Sequence, residues 1–259
     1  MVRLSYYTDP ACPWSWAAEP ALRRLQTKFG EDLRITYVMA GMARRLDDPL
    51  HVLDETLEAA AWSGMPVDPR IWREGPPKST YPACQAVKAA AEQGLDGPYL
   101  RVLREAILCR RRPMDTADAL VDAARPVDGL DLPRFEIDLR SNAIVEAFGA
   151  DRERAVAAGG GEERPGIPAF VFADGPPLET GDPVQLRAAA LAAGAQPQGE
   201  LPTVEAALRR FGPMGAAEVA AVCGLPGPRA RMELWRLAGE WRVRPRPLVC
   251  GELWELASA

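Results

Sequence analysis

The stretch Cys12-Pro13-Trp14-Ser15 lies between an apolar run at residues 2–7 and a helical pattern from Trp16 to Phe29. The apolar run predicts a strand, so Cys12 is expected at the first turn of the helix that follows it. Unpaired backbone N–H groups at the start of a helix stabilise a thiolate relative to a thiol. The motif therefore predicts that Cys12 is an exposed nucleophile with a lowered pKa.

Ser15 occupies the fourth position of this motif. A second cysteine there would form a disulfide with Cys12, and a serine does not. The site therefore predicts chemistry with a single thiol, or a redox site that has lost its activity. Ser15 is expected to cap the helix or to donate a hydrogen bond to the thiolate, and of these the cap is the simpler expectation.

The composition favours a cytoplasmic globular protein. The 259 residues are 47% hydrophobic, without an apolar stretch long enough to span a membrane and without a signal-peptide pattern at the N-terminus. The five cysteines are scattered and odd in number, which argues against a disulfide framework. His51 is the only histidine, so no metal site is expected, and the net charge of −5 disfavours polyanions as partners.

The order of predicted elements indicates an α/β fold. The first strand and helix lead to a second strand at Leu33–Met39, which together form a βαβ unit. Helical patterns dominate residues 51–158. A short strand then begins at Pro168, and a final helix covers residues 183–192.

The last part of the chain is expected to form a small separate unit. Residues 193–202 form a linker by composition, and residues 203–259 show three helices and a hairpin, typical of a winged helix. Because so small a unit buries only about 60% of its unfolded surface, we expect it to dock on the first domain or on a second copy. Mixed Arg and Glu on its third helix favour contact with protein over DNA. Its predicted core consists of Leu234, Trp235, Leu237, Trp241, Leu253 and Trp254.

Two motifs in this order resemble the DsbA family of the thioredoxin superfamily. They are Tyr7-Thr8-Asp9-Pro10-Ala11-Cys12-Pro13-Trp14-Ser15-Trp16 and Gly166-Ile167-Pro168-Ala169-Phe170-Val171-Phe172. The resemblance implies a thioredoxin-like domain over residues 1–192 with a helical insertion at about 51–158. It also implies that Pro168 is cis and faces Cys12, which would leave the Ile167 backbone free to pair with a substrate strand. The implied substrate-binding residues are Pro13, Trp14, Ile167 and Pro168.

Within the DsbA family, the chain is most similar to cytoplasmic FrnE-like members and to the SpxH (YjbH) type, which are ClpXP adaptors. The similarity lies in Asp9-Pro10-Ala11-Cys12-Pro13, in Trp62-Ser63-Gly64-Met65, and in Ser79-Thr80-Tyr81-Pro82-Ala83. Ser15 departs from the usual C-x-x-C motif, which puts dithiol oxidase activity in doubt. The C-terminal unit is also absent from the usual fold.

Three functions follow from the motif and the resemblance. The first is a thiol–disulfide oxidoreductase or isomerase with Cys12 and Ser15 as catalytic residues. Glutathione or another low-molecular-weight thiol would release its mixed disulfide with a protein or small-molecule substrate. The second is a non-catalytic adaptor that presents a client protein to a protease. The third is an enzyme similar to kappa-class glutathione transferases, which place Ser or Cys at the helix start to hold a glutathione thiolate.

Overall fold

The fold is a mixed α/β arrangement, described over residues 1–257 in a computed structural model. Its strands are β1 (Val2–Thr8), β2 (Leu33–Met39), β3 (Ala169–Phe172), β4 (Met214–Gly215), β5 (Val243–Pro247) and β6 (Glu252–Leu256). Its helices are α1 (Pro13–Ala17), α2 (Glu19–Phe29), α3 (Pro49–Ser63), α4 (Ile71–Glu74), α5 (Tyr81–Ala91), α6 (Asp96–Arg110), α7 (Ala117–Ala124), α8 (Leu132–Leu139), α9 (Asn142–Ala158), α10 (Pro183–Ala192), α11 (Val204–Phe211), α12 (Ala216–Cys223) and α13 (Gly227–Gly239).

The central sheet determines where the two predicted site motifs meet. Its strand order is β2-β1-β3, with β1 parallel to β2 and antiparallel to β3. Tyr7 near the end of β1 pairs with Ala169 at the start of β3. Pro168 therefore lies at the end of the sheet where β1 stops and the loop that carries Cys12 begins.

The first helix differs from the sequence prediction, which extended it without a break to Phe29. The structure divides it into α1 and α2, with Ala18 between them. Pro20 lies in the first turn of α2 and has no N–H to donate to the carbonyl of Trp16. The short α1 is thereby separated from the longer α2, which packs on the sheet through Leu22 and Leu25.

Helices α3 to α9 form the predicted insertion between β2 and β3. They enclose their own apolar core around Trp72, Tyr99 and Phe135, all of them 0–1% exposed. Alanine is frequent on the buried face of α5, which lets neighbouring helices approach closely. Among residues 1–257, no helix is both long and apolar enough to cross a membrane.

The C-terminal elements form a second sheet, of order β4-β6-β5, and three helices. Its predicted core is only partly correct. Trp254 is fully buried and Trp235 packs edge-on against it at 4.9 Å between ring centroids, but Trp235 is 51% exposed and Trp241 is 87% exposed. Trp241 lies just after α13 and has a φ of +60°. Its side chain is not part of the apolar cluster, to which the leucines of α13 belong. That these elements form a winged helix stays a prediction.

Leu253 was also assigned to the C-terminal core, and the structure places it elsewhere. It packs into the apolar cluster of the helical insertion, whereas its neighbour Trp254 faces the C-terminal helices. Successive side chains of a strand point to opposite faces, so β6 contributes to both cores. The strand therefore joins the C-terminal elements to the insertion.

The C-terminal elements dock on the thioredoxin-like region, the first of the two expected arrangements. Helix α12 lies along α2, and the Arg24 guanidinium donates to the carbonyl of Ala221 at 3.0 Å. The predicted linker is not free either, since the Gln198 N–H donates to the carbonyl of Lys28 at 2.6 Å. At the centre of the contact, Arg101 donates two hydrogen bonds to Glu218, at 2.7 and 3.0 Å.

Replacement of Glu218 tests whether this buried ion pair holds the two parts together. Glu218→Gln should lower the free energy of unfolding by about 3 kcal/mol, because it leaves part of the buried Arg101 charge uncompensated. Urea unfolding measures the change. Glu233→Gln, at an exposed pair with Arg236, is the matched control and should cost less than about 1 kcal/mol. Equal losses for the two variants would show that the buried pair does not stabilise the contact.

Candidate thiol site and its groove

Cys12 is the residue that caps the N-terminus of α1. Its sulfur accepts a hydrogen bond from the Ser15 N–H at 3.4 Å, and its thiol donates to the carbonyl oxygen of Ile167 at 3.5 Å. Pro13 occupies the first helical position, where a missing N–H costs nothing. The Ile167–Pro168 peptide bond is cis. The chain thus brings together Cys12, Pro13, Ile167 and Pro168 from two distant parts of the sequence.

The expectation of an exposed Cys12 with a lowered pKa is wrong for this structure. Cys12 is only 3% exposed, and burial raises the pKa of its thiol above the ordinary value. The side chain of Ser15 and, to a smaller extent, its backbone N–H oppose this increase, while the negative charge of Asp9 adds to it. Burial therefore favours the neutral thiol over the thiolate.

Ser15 does not play the predicted capping role. The residue is fully buried. Within residues 1–257 its hydroxyl makes no hydrogen bond of ordinary geometry, although its side chain is close enough to the Cys12 sulfur to lower the pKa of that thiol. The cap is the sulfur of Cys12 itself, which accepts the backbone N–H of Ser15. Ser15 therefore contributes its backbone to the site, and its side chain fills the position of the second cysteine.

Asp9 is a buried carboxylate that holds the Cys12 loop in place. One oxygen accepts the Ala11 N–H at 2.8 Å, and the other accepts the Met42 N–H at 2.6 Å. The second oxygen also accepts hydrogen bonds from the Thr80 hydroxyl at 2.7 Å and the Cys84 thiol at 3.3 Å. Asp9 thereby ties the loop after β1 to the loop after β2 and to the start of α5. Sequence analysis assigned no role to this residue.

An open groove of about 360 Å³ lies beside the cis-proline loop. Its lining consists of Trp14, Trp62, Gly166, Ile167, Pro168, Glu179, Thr180 and Gly181. Cys12 itself lies behind Ile167, below the surface of the groove. Three of the four predicted substrate-binding residues therefore line one cavity next to the thiol, and Pro13 does not.

Two tryptophans form one wall of the groove. The rings of Trp14 and Trp62 meet edge to face, with 6.3 Å between centroids, and Trp62 is 56% exposed. A Cβ atom at Gly181 would lie 3.2 Å from the Trp62 ring, so the absence of a side chain lets this ring lie flat. Trp16, the other tryptophan of the motif, is buried in the core, and its indole N–H donates to the Pro66 carbonyl at 3.0 Å.

Trp62 and Glu179 were not predicted as site residues. Trp62 lies 50 positions after Cys12 in the sequence, on helix α3 of the insertion. Glu179 lies in the polar segment after β3. Neither has a local pattern that indicates a site. The available signal for Trp62 was its place in the stretch Trp62-Ser63-Gly64-Met65, which contributes to the similarity with the SpxH type.

The other cysteines do not form a second half of the site. Burial raises the pKa values of the Cys84 and Cys109 thiols, and it raises that of Cys223 to about 11. Cys84 is the cysteine linked to the loop of Cys12, but through the Asp9 carboxylate. Cys250 is partly exposed, in the turn between β5 and β6.

Alkylation across a pH series tests the burial of Cys12. With limiting iodoacetamide at neutral pH, Cys250 should be modified before Cys12, because Cys250 is the more accessible thiol. The rate at Cys12 should continue to rise through about pH 9, since a raised pKa leaves little thiolate below it. Peptide mass spectrometry identifies the modified residue. Preferential labelling of Cys12 at about pH 6 would show a lowered pKa instead.

Comparisons with known proteins identify the fold family. A family model described as Thioredoxin matches residues 6–175. The ClpXP adapter protein SpxH of Halalkalibacterium halodurans is 29% identical over 279 residues, which cover 97% of this chain and 88% of that protein. The SpxH of Bacillus subtilis is 30% identical over 156 residues, which cover 58% of this chain and 52% of that protein.

A solved structure agrees with the sequence relatives. The cytosolic disulfide reductase DsbM from Pseudomonas aeruginosa superposes with a TM-score of 0.59 and 21% identity, covering 73% of this chain and 97% of that chain. The chain therefore belongs to the thioredoxin family; its sequence is similar to SpxH proteins, and its fold is DsbA-like. The resemblance inferred from the two motifs is confirmed.

Proposed function

We propose that this chain is an adaptor that binds a client protein in the groove beside Cys12 and presents it to a protease. The observation that carries the proposal is the contrast between the groove and the thiol. The groove is open and lined mainly by aromatic and apolar groups, whereas the thiol is buried, has a pKa raised by burial and lacks a second cysteine in its motif. Such a site is better suited to binding than to turnover.

The groove has the features of a peptide-binding surface. Trp14 and Trp62 offer large apolar faces of the kind that dominate binding energy at interfaces. The adjoining cis-proline loop presents the backbone of Gly166 and Ile167 along the wall of the groove. An extended client segment would pair with this backbone and place one apolar side chain against the tryptophans.

The sequence relatives support the same proposal. They are named ClpXP adapter proteins, and the first of them is similar over nearly the whole of this chain, including the C-terminal elements. We infer that the partners here are also a client protein and a ClpXP-type protease. The C-terminal elements carry exposed Trp235 and Trp241, which are candidates for contact with one of these partners.

Protein turnover in cells tests the adaptor proposal. Proteins degraded through the adaptor should gain half-life, by about twofold or more, when its gene is deleted. Cys12→Ser should restore their degradation, because the serine still caps α1 and the groove is unchanged. The double variant Trp14→Ala, Trp62→Ala should not restore it. Pulse-labelled quantitative proteomics measures the half-lives.

The control for the groove variant is Ile137→Ala, which removes an exposed apolar side chain on α8, away from the groove. It should restore degradation fully. If Cys12→Ser fails while the tryptophan variant succeeds, the adaptor proposal is wrong and the thiol carries the function.

The second candidate is monothiol exchange with a disulfide in the groove. The hydrogen bond from the Ser15 N–H to the Cys12 sulfur favours it, since the same N–H would stabilise a thiolate once the thiol is uncovered. Cys12 would attack one sulfur of a disulfide, form a mixed disulfide and release the other half as a thiol. An external thiol would then have to free Cys12, because Ser15 does not resolve the bond.

The variant Ser15→Cys tests whether the site retains the geometry for this chemistry. The new thiol would replace an unpartnered hydroxyl, so the cost to folding should be small. Mild oxidation should then form an internal disulfide, detected as the loss of two hydrogens by intact mass. The double variant with Cys12→Ser should show no such loss. Stable mixed disulfides without an internal bond would show that Cys12 exchanges but that positions 12 and 15 lack the geometry of a C-x-x-C pair, and the absence of both products would argue against the second candidate.

A further inference from the structure

The lining of the groove beside Cys12 carries a negative charge and no positive one. Among the eight residues that line it, Glu179 is the single charged one, and the others are apolar, aromatic, glycine or threonine. Glu179 is exposed, so its carboxylate faces solvent at the mouth of the groove. A ligand in the groove therefore meets a negative charge and no positive one from the lining.

The Glu179 carboxylate lies close to the cis-proline loop. A Cβ atom at Gly166 would lie 2.5 Å from Oε2 of Glu179, so the carboxylate rests directly over this glycine. Gly166 is two residues before Pro168 and next to Ile167, whose carbonyl accepts the Cys12 thiol. The charge thus lies beside the backbone along which a bound segment would extend.

The neighbouring surface does not compensate this charge. A second cavity of about 470 Å³ begins at the other side of Gly166, and its lining includes Arg152, Arg164, Glu162 and Glu163. Two positive and two negative side chains balance each other there. The Arg164 guanidinium also donates to the carbonyl of Pro165 at 3.1 Å, which directs it to its own loop.

We propose that Glu179 makes the groove selective for a basic client segment. The occupant is a polypeptide that places an apolar side chain against Trp14 and Trp62 and a Lys or Arg beside Glu179. A carboxylate at that position is rejected. This inference rests on the proposed binding function of the groove and specifies the client's chemistry.

The selectivity has a consequence for low-molecular-weight thiols. Glutathione carries two carboxylates and one ammonium group, and it would bring a net negative charge to a groove whose lining offers no cation. Glu179 therefore disfavours glutathione as an occupant relative to a basic peptide.

Disulfide capture by Cys12 measures this preference. The probes are symmetrical disulfides of three N-acetylated, C-amidated dipeptides: cysteinyl-lysine, cysteinyl-glutamine and cysteinyl-glutamate. In each case the Cys12 thiol forms a bond to one sulfur, the probe disulfide breaks, and the thiol proton passes to the released half. The equilibrium fraction captured in competition with 2-mercaptoethanol, near pH 9, is read by intact mass of the Cys84→Ala, Cys109→Ala, Cys223→Ala, Cys250→Ala variant.

We expect the lysine probe to be captured most and the glutamate probe least, with the glutamine probe between them. The lysine and glutamate probes should differ by about threefold to tenfold, as for a partly exposed charge pair. Glu179→Gln should bring all three probes within about twofold. Asp174→Asn is the matched control, because Asp174 is an exposed acid outside the groove, and it should keep the original order. Glutathione disulfide should be captured less than the lysine probe.

The outcomes separate this inference from the proposed function. If the glutamine probe is captured but the three charges do not differ, or if Glu179→Gln preserves the order, the charge inference alone is wrong. If none of the probes reaches Cys12, the groove does not lead to the thiol and the monothiol candidate fails; the charge inference is then decided by the noncovalent affinities of the three dipeptides, and equal affinities for the lysine and glutamate forms would overturn it. The adaptor proposal is judged separately, by the turnover of its clients.

Discussion

A buried network of ion pairs connects the thiol site to the rest of the molecule. Glu19 at the start of α2 accepts hydrogen bonds from Arg101 and Arg104 of α6, and Arg101 also binds Glu218 of α12. Burial alone would raise the pKa of Glu19, but the charges of Arg104, Arg23 and Arg101 lower it below its ordinary value. These carboxylates and guanidiniums tolerate burial only together, because an unpaired charge in the interior is costly.

The network also reaches the helix that carries Cys12. Arg104 donates to the hydroxyl of Tyr6 at 3.2 Å, and that hydroxyl donates to the carbonyl of Ser15 at 3.3 Å. On the other side, the Arg101 guanidinium lies 4.4 Å from the centroid of the Trp16 ring. Helix α1 is thus held between two arginines of the insertion. The C-terminal elements, through Glu218, contribute to the same support.

The site combines a helix N-terminus and a cis-proline loop with a buried thiol. The helix N-terminus and the cis-proline loop are both present, yet Cys12 is covered and its pKa is raised by burial. The groove beside it remains open, with Trp14 and Trp62 as its wall. Ser15 at the second position of the motif and the burial of Cys12 both leave the groove open.

The sequence by itself determined the fold and the location of the site. The apolar run before Cys12, the strand at Leu33–Met39 and the helix at residues 183–192 are local patterns, and the structure reproduces them within a residue or two. The break at Ala18 follows from Pro20 and was overlooked. The proximity of Pro168 to Cys12 came from the resemblance, because residues so far apart in the sequence have no local pattern in common.

Only the tertiary structure decided how exposed the thiol is and what surrounds it. The pKa of Cys12 depends on how far neighbours from distant segments exclude water from the thiol. The sequence motif does not indicate that burial. The same holds for Trp62 and Glu179, which reach the groove from α3 and from the turn after β3. It also holds for Trp241, whose large apolar side chain indicated burial but which extends into solvent after α13. Local patterns specify secondary structure, whereas burial and electrostatics are set by residues that meet only once the chain has folded.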